Sequence, residues 1–158
     1  MELIFQNSIT PDQINRLRKA VGFRQLDTEQ ISAGLAGSQL TLAACEQGEA
    51  IGMARLIWDG GGAALVTDVI VLPEYQEQGI EAELVKRILG YLRARLKPGY
   101  GIQVDVRSWG SQEEIYQELG FIESTQERRG LPMHICLTEQ IELTDSRFGQ
   151  GDFSPPAS

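Results

Sequence analysis

Many familiar kinds of site cannot be built from this chain, because the residues are missing. It has one histidine, so a metal centre made of several imidazoles is excluded, and no metal is expected. Its two cysteines, Cys45 and Cys136, lie far apart and match neither a metal-ligand spacing nor a redox pair. Their strand-like surroundings, LTLAACE and MHICLT, suggest buried free thiols in a reducing compartment. No apolar run reaches the roughly 18 residues of a membrane span. The first residues, MELIFQNSIT, lack a basic region followed by an apolar core, so a secretory signal is not expected and a cytoplasmic location is. Basic runs and basic–aromatic interleaving are absent and the net charge is −8. Nucleic acid is therefore disfavoured as a partner, since phosphate neutralisation supplies most of that affinity. An acidic chain attracts small cations over long range instead.

What is present is an ordinary globular composition, 42% hydrophobic and 23% charged over 158 residues. That length supports one domain with a real core. We expect it to span residues 1–138, with 139–158, which lack periodicity and end in Ser-Pro-Pro-Ala-Ser, as a mobile tail. Met1 to Phe5 reads as a short strand. Thr10-Pro11-Asp12 then caps a helix carrying Ile14, Leu17, Arg18 and Val21, and Gly22 ends it. A second helix runs from Asp27 or Thr28 to Leu35. LTLAACE (Leu40 to Glu46), IGMARLIWD (Ile51 to Asp59) and AALVTDVIVLP (Ala63 to Pro73) follow on short turns as an antiparallel meander. From Gly79 the spacing is helical, with Ile80, Leu84, Val85, Ile88, Leu89 and Leu92 on one face. GIQVDVR (Gly101 to Arg107) is a further strand. A short helix begins near Ser111 with a Ser111/Glu114 capping box, and FIES and MHICLT close the sheet as final strands. The fold class is thus α/β of the α+β type: a mixed, mostly antiparallel sheet flanked by helices.

The stretch PEYQEQGIEAEL (Pro73 to Leu84) joins a strand to a helix through a glycine-containing turn. Free N–H groups in the first helical turn and the helix dipole favour an anion there. Glu77 and Glu81 place negative charge in the same turn. A carboxylate ~4 Å from a phosphate charge would cost up to ~4 kcal/mol at an effective dielectric of ~20, less where solvent screens it. Glu81 could alternatively satisfy the first-turn N–H groups itself, an internal carboxylate in place of phosphate.

The segment VIVLPEYQEQGIEAEL resembles the acetyl-coenzyme A loop of the GNAT superfamily of N-acetyltransferases. Gln76 and Gly79 match the first and fourth positions of that family's Gln/Arg-x-x-Gly-x-Gly/Ala pattern, while Glu81 departs at the sixth. IYQELGF (Ile115 to Phe121) resembles the family's Phe-Tyr-x-x-x-Gly-Phe segment, and the order of elements matches over roughly Leu40 to Leu137. The resemblance implies a sheet splayed at the cofactor site, with acetyl-coenzyme A as cosubstrate. It assigns Val69, Ile70 and Val71 to the pantetheine and acetyl group. Gln76, Gln78, Gly79, Ile80, Glu81 and Ala82 fall to the pyrophosphate loop. It makes Tyr116 the acid for the departing thiolate, whose free pKa near ~8.5 lets it accept a phenolic proton. Tyr116 could equally be an aromatic packed on the sheet.

An attacking amine must lose a proton. Asp68, on the face of Ile70 and opposite Val69 and Val71 by strand alternation, is the first candidate base, and Asp105 the second. Either could instead bind a cationic substrate or pair with Arg107. Trp58 and Trp109 stand at strand ends, as acceptor-pocket walls or as packed rim aromatics. Arg128 and Arg129 lie in a turn before the last strand, and His134 reads as a packed strand residue. By resemblance Phe23 and Arg24 border the acceptor site. The implied activity is acetyl transfer to the primary amine of a small molecule by direct attack in a ternary complex. The alternative is a GNAT-fold binding or regulatory module with weak or lost acetyl-coenzyme A use. A homodimer is possible; no patch requires one.

Overall fold

Among the described residues, runs of β-branched and small apolar residues lay down one sheet of five strands, and the helices between them bury their apolar stripes on it. The computed structural model describes residues 2–109, 112–123, 132–135, 137 and 138, and the chain divides into two units, Met1–Ile122 and Glu123–Ser158. In chain order the first unit contains β1 (Ile4–Gln6), α1 (Pro11–Ala20), α2 (Thr28–Ala36), β2 (Leu40–Glu46), β3 (Glu49–Trp58) and β4 (Ala63–Val71). After a 3-10 turn over Pro73–Tyr75 come α3 (Ile80–Arg95), β5 (Gln103–Val106) and α4 (Glu113–Glu118). The strands lie side by side in sequence order, β1 to β4 antiparallel and β5 parallel to β4.

Local chemistry accounts for the helix starts. Thr10 caps α1 by accepting from the Gln13 N–H, while the Gln13 side chain accepts from the Thr10 N–H, a reciprocal box before Pro11. The Asp27 side chain accepts from the N–H groups of Glu29 and Gln30 and so starts α2. Ile80, Leu84, Val85, Ile88 and Leu92 of α3 are buried against the sheet, each worth about 1.5–3 kcal/mol of apolar burial. Cys45 is a buried free thiol, as its strand context predicted, and burial and then Glu49 push its pKa up.

Two departures from expectation matter. Phe121 does not begin a strand, because its N–H donates to the Tyr116 carbonyl at 2.9 Å while the Gly120 N–H donates to Gln117. That double bond closes α4 and leaves the Phe121 N–H no role in a ladder. In the second expected strand, the described residues Met133, His134, Ile135, Leu137 and Thr138 are exposed and carry no strand. Apolar character there reflects neither a ladder nor burial among the described residues. Ser111, Ser124, Arg128, Arg129, Cys136 and residues 139–158 lie outside the described residues.

Candidate active site

Among the described residues, strand β4 is paired on both sides only at its start. Ala63, Ala64, Leu65 and Val66 pair with Gln103 to Val106 of β5, and the β5 ladder ends there. Thr67 to Val71 continue beside β3 with no strand partner on the other side among the described residues. The expected splay therefore begins at Val66. The Val69 carbonyl on this open stretch accepts from the Gln112 side-chain amide at 3.4 Å. Ile70 and Val71 turn their side chains into the core.

The open stretch runs directly into the glycine turn. The Gln76 side chain donates to the Val71 carbonyl at 3.1 Å, folding the loop back on the strand that precedes it. Gln78 donates to the Glu74 carbonyl at 3.4 Å. Gly79 is the N-cap of α3 at φ 79°, a left-handed conformation that glycine adopts without a Cβ penalty. It offers no side-chain cap, and a Cβ placed there would meet nothing within 4 Å. Thus the N–H groups of Ile80, Glu81 and Ala82 find no acceptor among the described residues. They form an open cradle at the positive end of a helix. Ile80 is buried and anchors the turn, and Ala82 is half-buried.

The two acidic side chains take different courses. Glu77 is exposed to solvent at φ 63°. Glu81 turns inward, with 6% of its surface exposed, and does not cap the turn. Its Oε2 is buried without a hydrogen-bond partner among the described residues. The charge it brings inside falls on Tyr116 of α4, which is itself buried at 3% exposure. Burial first, and the Glu81 carboxylate second, push the Tyr116 phenol up to about 12. Its hydroxyl donates to Gln112 Oε1 at 3.5 Å, and its ring meets Phe121 edge-on at 5.6 Å. Gln112 thus touches both the open strand and the tyrosine. Only its position one turn before Tyr116 could have flagged it.

Residues Leu65 to Val69 of β4 also line a cavity of about 620 Å³. Asp68 lines it, but strict alternation, which put Asp68 opposite Val69, fails here. Asp68 sits at φ 52°, and two residues, Asp68 and Val69, face Ala54 alone between the pairs Met53–Ile70 and Arg55–Thr67. This bulge lets both Asp68 and Val69 line the cavity. The Asp68 carboxylate is gripped by two guanidinium groups. Arg55 approaches Oδ2 through Nε and Nη2, each at 3.1 Å, and Arg18 Nη1 lies 3.5 Å from Oδ1. Both oxygens are thereby engaged. Arg55 also donates to Gly34 and Ser38, and Arg18 Nε donates to the Arg24 carbonyl at 2.7 Å. Arg18 reads from sequence as one residue of a helix face, and Arg55 as the basic residue of a strand; nothing local pairs either with Asp68.

Phe23, Arg24 and Trp109 border the cavity, as does Arg107 beyond the end of β5. The Phe23 and Trp109 rings lie 5.7 Å apart at 59°. Trp58 is elsewhere, donating from its indole to the Gly61 carbonyl at 2.9 Å to hold the β3–β4 turn. Asp105 is exposed on β5, receives the Gln103 amide and is not part of the cavity wall. His134 belongs to the second unit and is exposed. Among the described residues, no group of three or more His, Cys, Asp or Glu side chains is placed to hold a metal ion. No helix among them is long and apolar enough to cross a membrane.

The model of the acetyltransferase (GNAT) domain family matches residues 5–135. Among solved structures, the chain is similar to a Staphylococcus aureus protein of unknown function described as a "probable acetyltransferase", with 23% identity and a TM-score of 0.77. That match covers 86% of this chain and 100% of the other. A GNAT-family acetyltransferase from Streptococcus pneumoniae is 25% identical, with a TM-score of 0.67 over 87% of this chain and 98% of the other. An acetyltransferase from Trypanosoma brucei is 19% identical, with a TM-score of 0.63 over 86% of this chain and 100% of the other. No curated protein sequence matches the chain.

Proposed function

The chain belongs to the GNAT acetyltransferase family, and on that premise we propose that it moves an acetyl group from acetyl-coenzyme A to the primary amine of a small molecule. One observation carries the reading: the half-unpaired strand β4 leads straight into the uncapped start of α3. The residues present fit the cosubstrate. The N–H groups of Gln78 to Ala82 would hold the pyrophosphate, and the backbone of Val69, Ile70 and Val71 would hold the pantetheine arm. Gln76 shapes the turn through its bond to Val71. The inward course of Glu81 leaves the cradle open, which removes much of the charge conflict behind a module that has given up the cosubstrate.

When bound, acetyl-coenzyme A would supply an acetyl group activated as a thioester. Tyr116 keeps its proton throughout the neutral range, because its pKa is about 12. Complete transfer of that proton to a thiolate of ordinary pKa near ~8.5 is uphill by roughly 5 kcal/mol. Tyr116 therefore serves best as a hydrogen-bond donor to the developing negative charge, with full transfer only as far as burial raises the thiol too. Both Asp68 oxygens are committed to Arg18 and Arg55, so water in the cavity is the better first acceptor of the amine proton. Asp68 contributes by fixing Arg18 and Arg55 at the cavity wall.

Calorimetric titration with acetyl-coenzyme A tests the reading directly. Binding with release of free thiol in the presence of an amine supports it. No detectable binding overturns it in favour of a binding module.

A further inference from the structure

The family places an acceptor beside β4 without saying what kind of amine this chain takes. In this cavity the charge runs against the molecule as a whole. Acidic residues outnumber Lys and Arg by 22 to 14 across the sequence. The cavity wall nevertheless includes Arg18, Arg24 and Arg107, against Asp68 as its one acid among the described residues. Asp68 is already neutralised by Arg18 and by Arg55 behind it. Arg24 and Arg107 have no side-chain hydrogen bond or ion pair among the described residues.

These two free guanidinium groups come from different elements, Arg24 from the loop after α1 and Arg107 from the end of β5. Both are exposed, so they stand at the rim, and each is joined to the aromatic pair Phe23–Trp109 by the chain itself. Their placement is not loose. The Arg18 guanidinium fixes the Arg24 carbonyl, and β5 pairing up to Val106 fixes the residue before Arg107. The other side of the cavity is the open stretch of β4, where acyl transfer would occur.

We propose that this cavity binds small amines that carry an anionic head group, a carboxylate or a phosphate, with the anion held by Arg24 and Arg107 and the amine end directed to the open stretch of β4 at Val69. The aromatic pair covers the carbon chain between the two ends. A guanidinium fork suits both oxyanions, and a charge-assisted bond of this kind is stronger than a neutral one. The inference rests on the transferase reading for the role of the cavity but not for the binding itself.

The test uses the full chain and matched pairs of amines: 4-aminobutyrate against butylamine, and O-phosphoethanolamine against ethylamine. Binding is followed by the nuclear magnetic resonance signal of the Trp109 indole, assigned with Trp109→Phe, and transfer by thiol release from acetyl-coenzyme A. We expect an anionic amine to shift the indole at concentrations at least about tenfold below its uncharged partner. Arg24→Gln and Arg107→Gln, both at exposed positions, should each remove about tenfold or more of that preference. The carboxylate and phosphate arms then show which head group is preferred. Equal binding of charged and uncharged amines overturns the inference, as does a preference that survives both substitutions. Selective binding of an anionic amine without acetyl transfer upholds the site and overturns the transferase reading instead.

Discussion

Replacing Glu81 by glutamine keeps its volume and removes the charge that faces Tyr116. The Tyr116 phenol should then titrate below its present value of about 12 but still above 10.0, because burial, the larger cause, remains. Ultraviolet titration of phenolate, with Tyr116→Phe as the blank, measures this; an unmoved titration would mean that the two side chains do not interact. Tyr116→Phe itself should slow acetyl transfer by about 10²-fold or more with little change in acetyl-coenzyme A affinity. A rate within a factor of two or so would leave the ring as core packing alone. Tyr116 was visible in the sequence because IYQELGF is a local pattern. The inward course of Glu81 was not, since a first-turn carboxylate can face the turn, the solvent or the neighbouring helix. The grip of Arg18 and Arg55 on Asp68 was equally hidden, because it joins residues 50 and 13 positions apart.

Elements with local punctuation were legible, and those defined by partners were not. Strand β2 and the cap of α1 lie where LTLAACE and Thr10-Pro11 put them. The β4 bulge is not legible in the sequence, because VTDVIV alternates plausibly and only the register with β3 shows the extra residue. The expected last strands are absent among the described residues for a related reason: an apolar run does not say whether its N–H groups are already used by a helix end. Two glycines test how β3 and β4 present the cradle. A Cβ at Gly52 would lie 3.1 Å from Val71 Cγ2 and 3.2 Å from the Ile70 carbonyl oxygen. Gly52→Ala should therefore push on the end of β4, lowering stability by about 1–3 kcal/mol and weakening acetyl-coenzyme A binding. Gly79→Ala has open space and meets only the cost of φ 79°, roughly 1 kcal/mol. Denaturant unfolding of both variants checks the order; a harmless Gly52→Ala would show that β4 yields freely.

Across the whole molecule, the raised Tyr116 pKa links the site to global stability at high pH. Folded chains keep the proton up to about 12, whereas unfolded chains release it near 10.0. Below the lower value both states are protonated and the contribution is constant. Between the two values the unfolded state holds fewer protons, so stability falls as pH rises, by a total on the order of 2 kcal/mol. The stability difference between the parent and Tyr116→Phe, followed by urea unfolding through this range, isolates the effect; a flat difference would refute it. The overall acidity of the chain, legible at once, gave no hint of the basic cavity, because composition averages over surfaces that the fold separates. The interrupted ladder between β4 and β5 has a further cost. A strand edge left open, as this one is among the described residues, is a template for any extended chain, and self-association through it is the hazard that sheets ordinarily suppress by pairing or burying their margins. Catalytic readiness and colloidal safety then pull in opposite directions at Thr67 to Val71, and a molecule seated along that edge would act as a chaperone for the sheet as well as a reactant.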